Sequence, residues 1–311
     1  MKRISIVIPC YNEEVNVKQI YESIKSIFDE LEGYSYEHIF IDNASVDNTP
    51  VILREIASED PNVKVIFNSR NFGIVRSPYY GLLQATGDAA IIMACDFQDP
   101  PEMIPQFIRK WAEGYEIVIA VKNESKEASL MFMIRTLYYK LVNCLSDVHL
   151  FNNFTGFGLY DQRIIQILRK IDDPYPYFRG LISEIGFNVA TIPFIQPRRQ
   201  RGITKNNFYT LYDLAMLGIT SHSKIPLRIA TIMGFALSIV TLLVAIGYFL
   251  AKLLFWDLFA MGIAPIIISM FFFASVQLFF IGIIGEYIGA IHTQVLKRPR
   301  VLEKERINFD K

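Results

Sequence analysis

Residues 89–102 read AAIIMACDFQDPPE. An uncharged run of this length, closed by a proline-stopped turn, suits a strand buried on both faces, and its exit carries Asp96, Gln98 and Asp99. Four further apolar runs share that character: RISIVIP at 3–9, HIFIDN at 38–43, VKVIFN at 63–68 and EIVIAV at 116–121. Residues 15–31, 48–58, 75–85 and 102–113 lie between or beside them and read as helices. Strand and helix in alternation predict an α/β fold, a Rossmann-like and mostly parallel sheet covered on both faces.

Ligands of such sheets bind beyond the carboxyl ends of the strands. Polar residues gather at those ends here. Pro9-Cys10-Tyr11-Asn12-Glu13 follows the first strand, Asp42-Asn43-Ala44-Ser45 the second, and Asp96-Phe97-Gln98-Asp99 the fourth. One acidic strand end is as readily a turn or a helix cap. Three converging on one crevice predict a binding site. For Asp99 two readings stay open, a second metal ligand or a cap on the helix that begins near Glu102.

The 311 residues balance 31 Lys and Arg against 31 Asp and Glu, yet mean hydropathy is +0.28. The apolar excess sits near the C-terminus. An uncharged run between Arg228 and Lys252 and a second at 258–285 are each long enough to cross a hydrocarbon core of about 30 Å as a helix. The expected organisation is a cytosolic nucleotide-sugar-binding catalytic domain at 1–202, an interfacial amphipathic helix at 203–226, transmembrane helices at 227–251 and 258–285, and a basic cytosolic tail at 286–311. Lys205, Lys224 and Arg228 precede the spans and Lys297, Arg298, Arg300, Lys304 and Arg306 follow them, so both flanks are expected in the cytoplasm. The predicted location is the cell inner (plasma) membrane, multi-pass, with the catalytic domain cytoplasmic. The N-terminus MKRISIVIPC reads as a strand and not as a signal peptide. Cys10, Cys95 and Cys144 are too widely spaced for a metal motif and are expected to be reduced packing residues.

Six stretches together carry a resemblance: VIPCYNEE at 7–14, IDNASVDNT at 41–49, NSRNFG at 68–73, ATGDAAIIMACDFQDPPEMIP at 85–105, RRQRGITKNNF at 198–208 and GIIGEYIGAIHTQVLKRPR at 282–300. In their order and spacing the chain resembles family 2 glycosyltransferases of the GT-A fold. Within that family it is similar to the membrane-anchored polyprenyl-phosphate enzymes, such as dolichol-phosphate mannose synthase and the bacterial O-antigen glucosyl-carrier enzymes. The resemblance implies that Pro9, Tyr11, Glu13, Asp42, Asn71 and Gly73 form the nucleotide pocket, with Asp42 reading the base. It implies that Asp96 and Gln98 face a divalent Mg2+ or Mn2+ and the donor diphosphate, and that Arg199 and Lys205 close over the phosphates. Lys122, Arg135 and Arg201 are the candidates for the acceptor phosphate.

Three departures from the family pattern stand out. The acidic pair after the second strand is Asp42-Asn43, the first aspartate of the DxD motif is Ala94, and a segment resembling TGDFRL is TGFGLYD, with Gly156 and Gly158 in place of Asp and Arg. The chemistry tolerates the losses. Mg2+ needs only one or two protein carboxylates when substrate phosphates complete its shell. A lipid monophosphate, with a second pKa near 6, is already a nucleophilic dianion at neutral pH and needs no protein base. The expected reaction is an inverting transfer of one sugar from a nucleotide donor, UDP-linked, to polyprenyl (undecaprenyl or dolichyl) phosphate. Two alternatives are a catalytically degenerate nucleotide-sugar-binding scaffold and a processive polysaccharide synthase. Further expected partners are a flippase, a downstream glycosyltransferase and further copies of the chain as a dimer or tetramer through stretches such as GIIGEYIG. Nucleic acid is not expected.

Overall fold

In the computed structural model, residues 1–124, 151, 153–197, 208–254 and 263–309 are described. The alternation begins with β1 (Lys2–Cys10), α1 (Val17–Glu30), β2 (Tyr34–Asp42), α2 (Thr49–Glu59), β3 (Val63–Asn68), α3 (Gly73–Leu83) and β4 (Ala89–Ile92). It continues through α4 (Ile104–Ala112), β5 (Ile117–Glu124), β6 (Phe154–Asp161), α5 (Gln162–Lys170), α6 (Phe178–Glu184) and β7 (Val189–Ile195). Three helices follow, α7 (Phe208–His222), α8 (Ile225–Leu254) and α9 (Ile263–Leu296), and the chain returns to the sheet as β8 (Glu303–Ile307).

The eight strands lie in the order β7-β5-β6-β4-β1-β2-β3-β8. β1, β2, β3 and β4 are mutually parallel, as the strand–helix alternation predicts, and β5 is parallel to β7. β6 enters antiparallel between β4 and β5, and β8 runs antiparallel along the free edge of β3. β4 is shorter than the apolar run suggests: it ends at Ile92, and residues 93–96 leave the ladder as the start of the site loop.

The side-chain alternation of β1 explains why helices must cover both faces. Ile4, Ile6 and Ile8 are fully buried on one face, where the stripe Val17, Ile20, Ile24 and Phe28 of α1 packs with Leu53 of α2 and Phe107 of α4. Val7 points to the other face and joins Ile41, Leu82, Tyr160 and Ile164. Each fully buried isoleucine contributes about 1.5–3 kcal/mol relative to exposure, so the two cores fix the register of β1 against β2 and β4.

Helices α8 and α9 are apolar, and none of their described side chains is buried. Phe272–Leu296, 25 residues with mean hydropathy 1.6 and none of them buried, is long and apolar enough to cross a membrane. Ala215–Ser221 and Ile225–Thr241 form a second such stretch only if taken together across a 73° bend. Two cross-links tie the helices near that bend: the Tyr212 hydroxyl donates to Glu286 Oε1 at 3.0 Å, and the Tyr287 hydroxyl donates to the Ser223 carbonyl at 2.6 Å.

Beyond α9 the tail is anchored to the sheet domain. The Arg300 guanidinium donates to the carbonyls of Asp173 (2.8 Å) and Ile171, and Ser69 N–H donates to the Leu302 carbonyl at 2.8 Å. Arg54 pairs with Glu305 at 2.6 Å, and Asn308 Nδ2 donates to the carbonyls of Ala57 (2.7 Å) and Val63 (2.8 Å). The stretch read as a basic tail thus closes the open edge of the sheet.

Candidate functional site

The crevice forms where β1, β2 and β4 end side by side, since β1 lies between its two parallel neighbours. Each strand exit turns sharply. Asn12, Ala44 and Phe97 take left-handed backbone angles, φ 55°, 60° and 61°. Side-chain caps hold the first two turns together. Asn12 N–H donates to Ser45 Oγ (2.8 Å), Val46 N–H returns a bond to Asn12 Oδ1 (2.8 Å), and Glu13 N–H donates to Thr49 Oγ1 (2.9 Å). The buried Glu13 carboxylate accepts from Asn16 Nδ2 at 2.6 Å.

Asp42 is 2% exposed. Its Oδ2 accepts from Ser45 N–H at 3.1 Å, while Oδ1 is a buried acceptor with no partner. Burial pushes its carboxyl above the usual carboxylate range, against the bonds from Ser45. An orphaned buried oxygen costs about 1–3 kcal/mol, a cost that a donor N–H from a ligand removes.

Asn43, one of the three departures, is fully engaged within the protein. Its Oδ1 accepts from Asn68 Nδ2 (3.0 Å) and Phe72 N–H (2.8 Å), and its Nδ2 donates to Asn71 Oδ1 (2.9 Å) and the Gly73 carbonyl (3.3 Å). Asn71 Oδ1 also accepts from Gly73 N–H at 2.8 Å, and Gly73 sits at φ 83°, where glycine avoids strain. Asn71 and Gly73 therefore flank the crevice as parts of one loop that Asn43 holds.

At the β4 exit the loop folds back on itself. Gln98 N–H donates to Asp96 Oδ1 at 3.1 Å, and Ala94 N–H donates to Asp99 Oδ2 at 2.9 Å. Asp99 does not cap the following helical turn, whose start carries no side-chain cap, so that alternative is set aside. Burial and the Asp96 charge push the Asp99 carboxyl up to about 6, with the Ala94 N–H bond and the Lys122 ammonium acting against them. Lys122 lies within β5 and is half-buried. The charges of Asp96 and Lys122 are thus both felt at Asp99.

No group of three His, Cys, Asp or Glu side chains suited to a metal occurs among the described residues. Asp96 and Asp99 nonetheless lie close enough for one charge to raise the other's carboxyl, with the Lys122 charge also felt there, and carboxylate oxygens are the hard donors that suit a divalent cation whose shell is completed by phosphate oxygens. Cys10 and Cys95 are free and buried, and burial pushes the Cys10 thiol up, which fits packing and not reactivity. Arg135, Arg199, Arg201, Lys205 and Cys144 lie outside the described residues.

A cavity of about 220 Å³ opens beside this loop. Pro9, Ala94, Asp99, Gly156, Phe178 and Arg179 are among its lining residues, so the positions of both missing aspartates face it. Gly156 has φ 106°, and a Cβ there would stand 3.7 Å from the Phe178 ring. At Gly158 a Cβ would meet the Val118 carbonyl oxygen at 2.4 Å. The absence of Asp and Arg at these positions is therefore built into the backbone of β6. Among the described residues, two charged ones line the cavity, Arg179, which arrives from α6, and Asp99, which the fold-back brings there.

The Glycosyl transferase family 2 model matches residues 5–169, more than half of the chain, from within β1 through β6. The chain belongs to glycosyl transferase family 2. This glycosyltransferase is 33% identical to the bactoprenol glucosyl transferase of Shigella phage SfX over 98% of its own length and 99% of the relative's. It is 32% identical to the prophage bactoprenol glucosyl transferase homolog of Escherichia coli K12, over 97% and 98% of the two chains. Among solved structures, a mycobacterial protein at 18% identity has a TM-score of 0.50 over 70% of the glycosyltransferase chain and 73% of its own, a likeness of fold alone.

Proposed function

We propose that this glycosyltransferase moves a single sugar from a UDP-linked donor to the phosphate of a polyprenyl lipid at the cytoplasmic membrane face. The observation that carries the reading is the end-to-end likeness to a bactoprenol glucosyl transferase, which spans the acidic crevice and the apolar helices alike. The orphaned Asp42 Oδ1 takes a donor N–H from the base, and the loop held by Asn43 borders the nucleoside. Asp96 and Gln98, with Asp99 beside them, would hold Mg2+ or Mn2+, which when bound offsets charge on the donor diphosphate.

Bond making and breaking are a direct displacement. A lipid phosphate oxygen bonds to the anomeric carbon from one side while the bond to the nucleotide diphosphate breaks on the other, so the anomeric configuration inverts. The acceptor, with its second pKa near 6, arrives ionised and no proton need be removed. Lys122 from β5, together with Arg135, Arg199, Arg201 and Lys205, offsets the charge of acceptor and leaving group. Helices α8 and α9 act as a membrane hairpin that holds the lipid headgroup at the level of the crevice, which turns a two-phase encounter into a local one.

The test is transfer of radiolabel from a panel of nucleotide sugars into chloroform-extractable lipid by membranes containing the chain, with and without EDTA. Metal-dependent, mild-acid-labile label in the lipid phase supports the reading. Transfer that goes only to water-soluble acceptors contradicts it.

A further inference from the structure

We infer that Asn43 is a positioning residue for nucleotide binding and that the amide, where the family pattern has a carboxylate, is what this chain requires there. The inference rests on the assignment of the 68–73 loop to the donor nucleotide made above. Its basis is the direction of four hydrogen bonds. Phe72 N–H can only donate, and the Gly73 carbonyl can only accept. Those two backbone groups, at 2.8 and 3.3 Å, fix which way the Asn43 amide points: oxygen towards Phe72, nitrogen towards Gly73. The side-chain partners agree, since Asn68 Nδ2 donates to the oxygen and Asn71 Oδ1 accepts from the nitrogen.

An aspartate at position 43 keeps the two bonds it accepts. Its second oxygen then faces two acceptors, the Gly73 carbonyl and Asn71 Oδ1. Turning the Asn71 amide over does not help, because Asn71 Oδ1 also holds Gly73 N–H at 2.8 Å. Asn43 is 7% exposed, so water does little to screen the contact. Nor is the network a generic core contact, since it ends on the exposed Asn71 and Gly73 at the crevice rim. Asn71 itself accepts both of its bonds, so an aspartate there preserves them. Two Asn→Asp changes in one network are therefore expected to have opposite effects on the loop.

The experiment uses the full-length chain in detergent and reads two things. The first is hydrogen exchange of the peptide spanning residues 68–74 without nucleotide. The second is affinity for UDP with Mn2+. In Asn43→Asp at pH 8 the loop amides should exchange at least about tenfold faster and UDP should bind at least about tenfold more weakly, the size expected when a buried acceptor is left facing acceptors. Lowering the pH to 5.5 protonates a buried carboxylate, which can then donate once, so the UDP deficit relative to wild type should shrink. Loop exchange in Asn71→Asp should stay at the wild-type rate. If Asn43→Asp does not fold, Asn43→Ala carries both measurements, with the same loosening and no recovery at low pH. Unchanged loop exchange in the position-43 variant overturns the inference, as does a deficit of equal size in Asn71→Asp. If wild type binds no UDP while loop exchange still rises in Asn43→Asp, the nucleotide assignment fails and the clamp alone stands.

Discussion

Ala94 N–H donates to Asp99 Oδ2 at 2.9 Å. Position 94 thus contributes a backbone group to the site loop although it lacks the carboxylate of the family motif. The bond curls residues 94–99 so that Asp96 and Asp99 lie close enough for each to feel the other's charge. Where the family pattern has an acidic pair, this loop carries one retained aspartate and a fold-back, with the Lys122 charge felt at Asp99.

The loss at positions 156 and 158 is not reversible by point substitution. Gly158→Arg would drive a Cβ into the Val118 carbonyl at 2.4 Å, a backbone atom that cannot yield while β5 and β6 stay paired. The expected cost is about 3 kcal/mol or more, visible as a large fall in melting temperature. A Gly158→Arg protein that melts with wild type would show that the strand spacing adjusts freely.

His38 makes stability fall in acid. It is fully buried among Tyr21, Tyr36 and Phe40, neither ring nitrogen has a hydrogen-bond partner, and burial holds its pKa down to about 3. The unfolded histidine titrates near 6.5, so the contribution is fully present above that value and declines as pH falls towards the folded value. Between pH 7 and 5.5 this group removes about 1 kcal/mol, in a range where most carboxylates remain ionised. Melting temperatures of wild type and His38→Phe should therefore diverge on acidification, with the variant less sensitive. Parallel curves would contradict the assignment.

The tail strand is expected to matter more than its ion pair. Arg54 and Glu305 are 44% and 39% exposed, so Glu305→Ala should cost less than about 1 kcal/mol. Deleting residues 298–311 removes the β3–β8 ladder, the Asn308 bonds and buried Val301, and leaves an unpaired edge. Melting temperature should fall much further for the deletion than for Glu305→Ala. Equal effects would mean that β8 is only loosely associated.

These cases mark how far the sequence could be read. β1 to β4 were legible because a strand buried on both faces must be apolar throughout, and their polar exits stood out against that background. β8 was not: EKERI has no apolar pattern, since an edge strand is held by backbone pairing and by charges that resemble an ordinary basic tail. The antiparallel insertion of β6 was missed because FTGFGLYD carries two glycines where a regular strand signal would carry side chains. Asn43 read as a weakened acid because its partners, 25 to 30 residues later in the chain, are brought to it only by the β2–β3 pairing. Asp42 and Asp96 stood out as candidates because three polar exits fall at neighbouring parallel strands, and the sheet order does place the ends of β1, β2 and β4 side by side.

The most direct test of the central claim, that the single DxD aspartate left at 96 suffices for transfer, is the rate of sugar transfer to lipid by Asp96→Asn measured beside wild type at saturating metal. We expect the variant to fold with an unchanged melting temperature and to lose transfer by at least about a hundredfold, roughly 2.7 kcal/mol of barrier. A folded Asp96→Asn protein that keeps more than about a tenth of the wild-type rate, less than roughly 1.4 kcal/mol, would contradict the account.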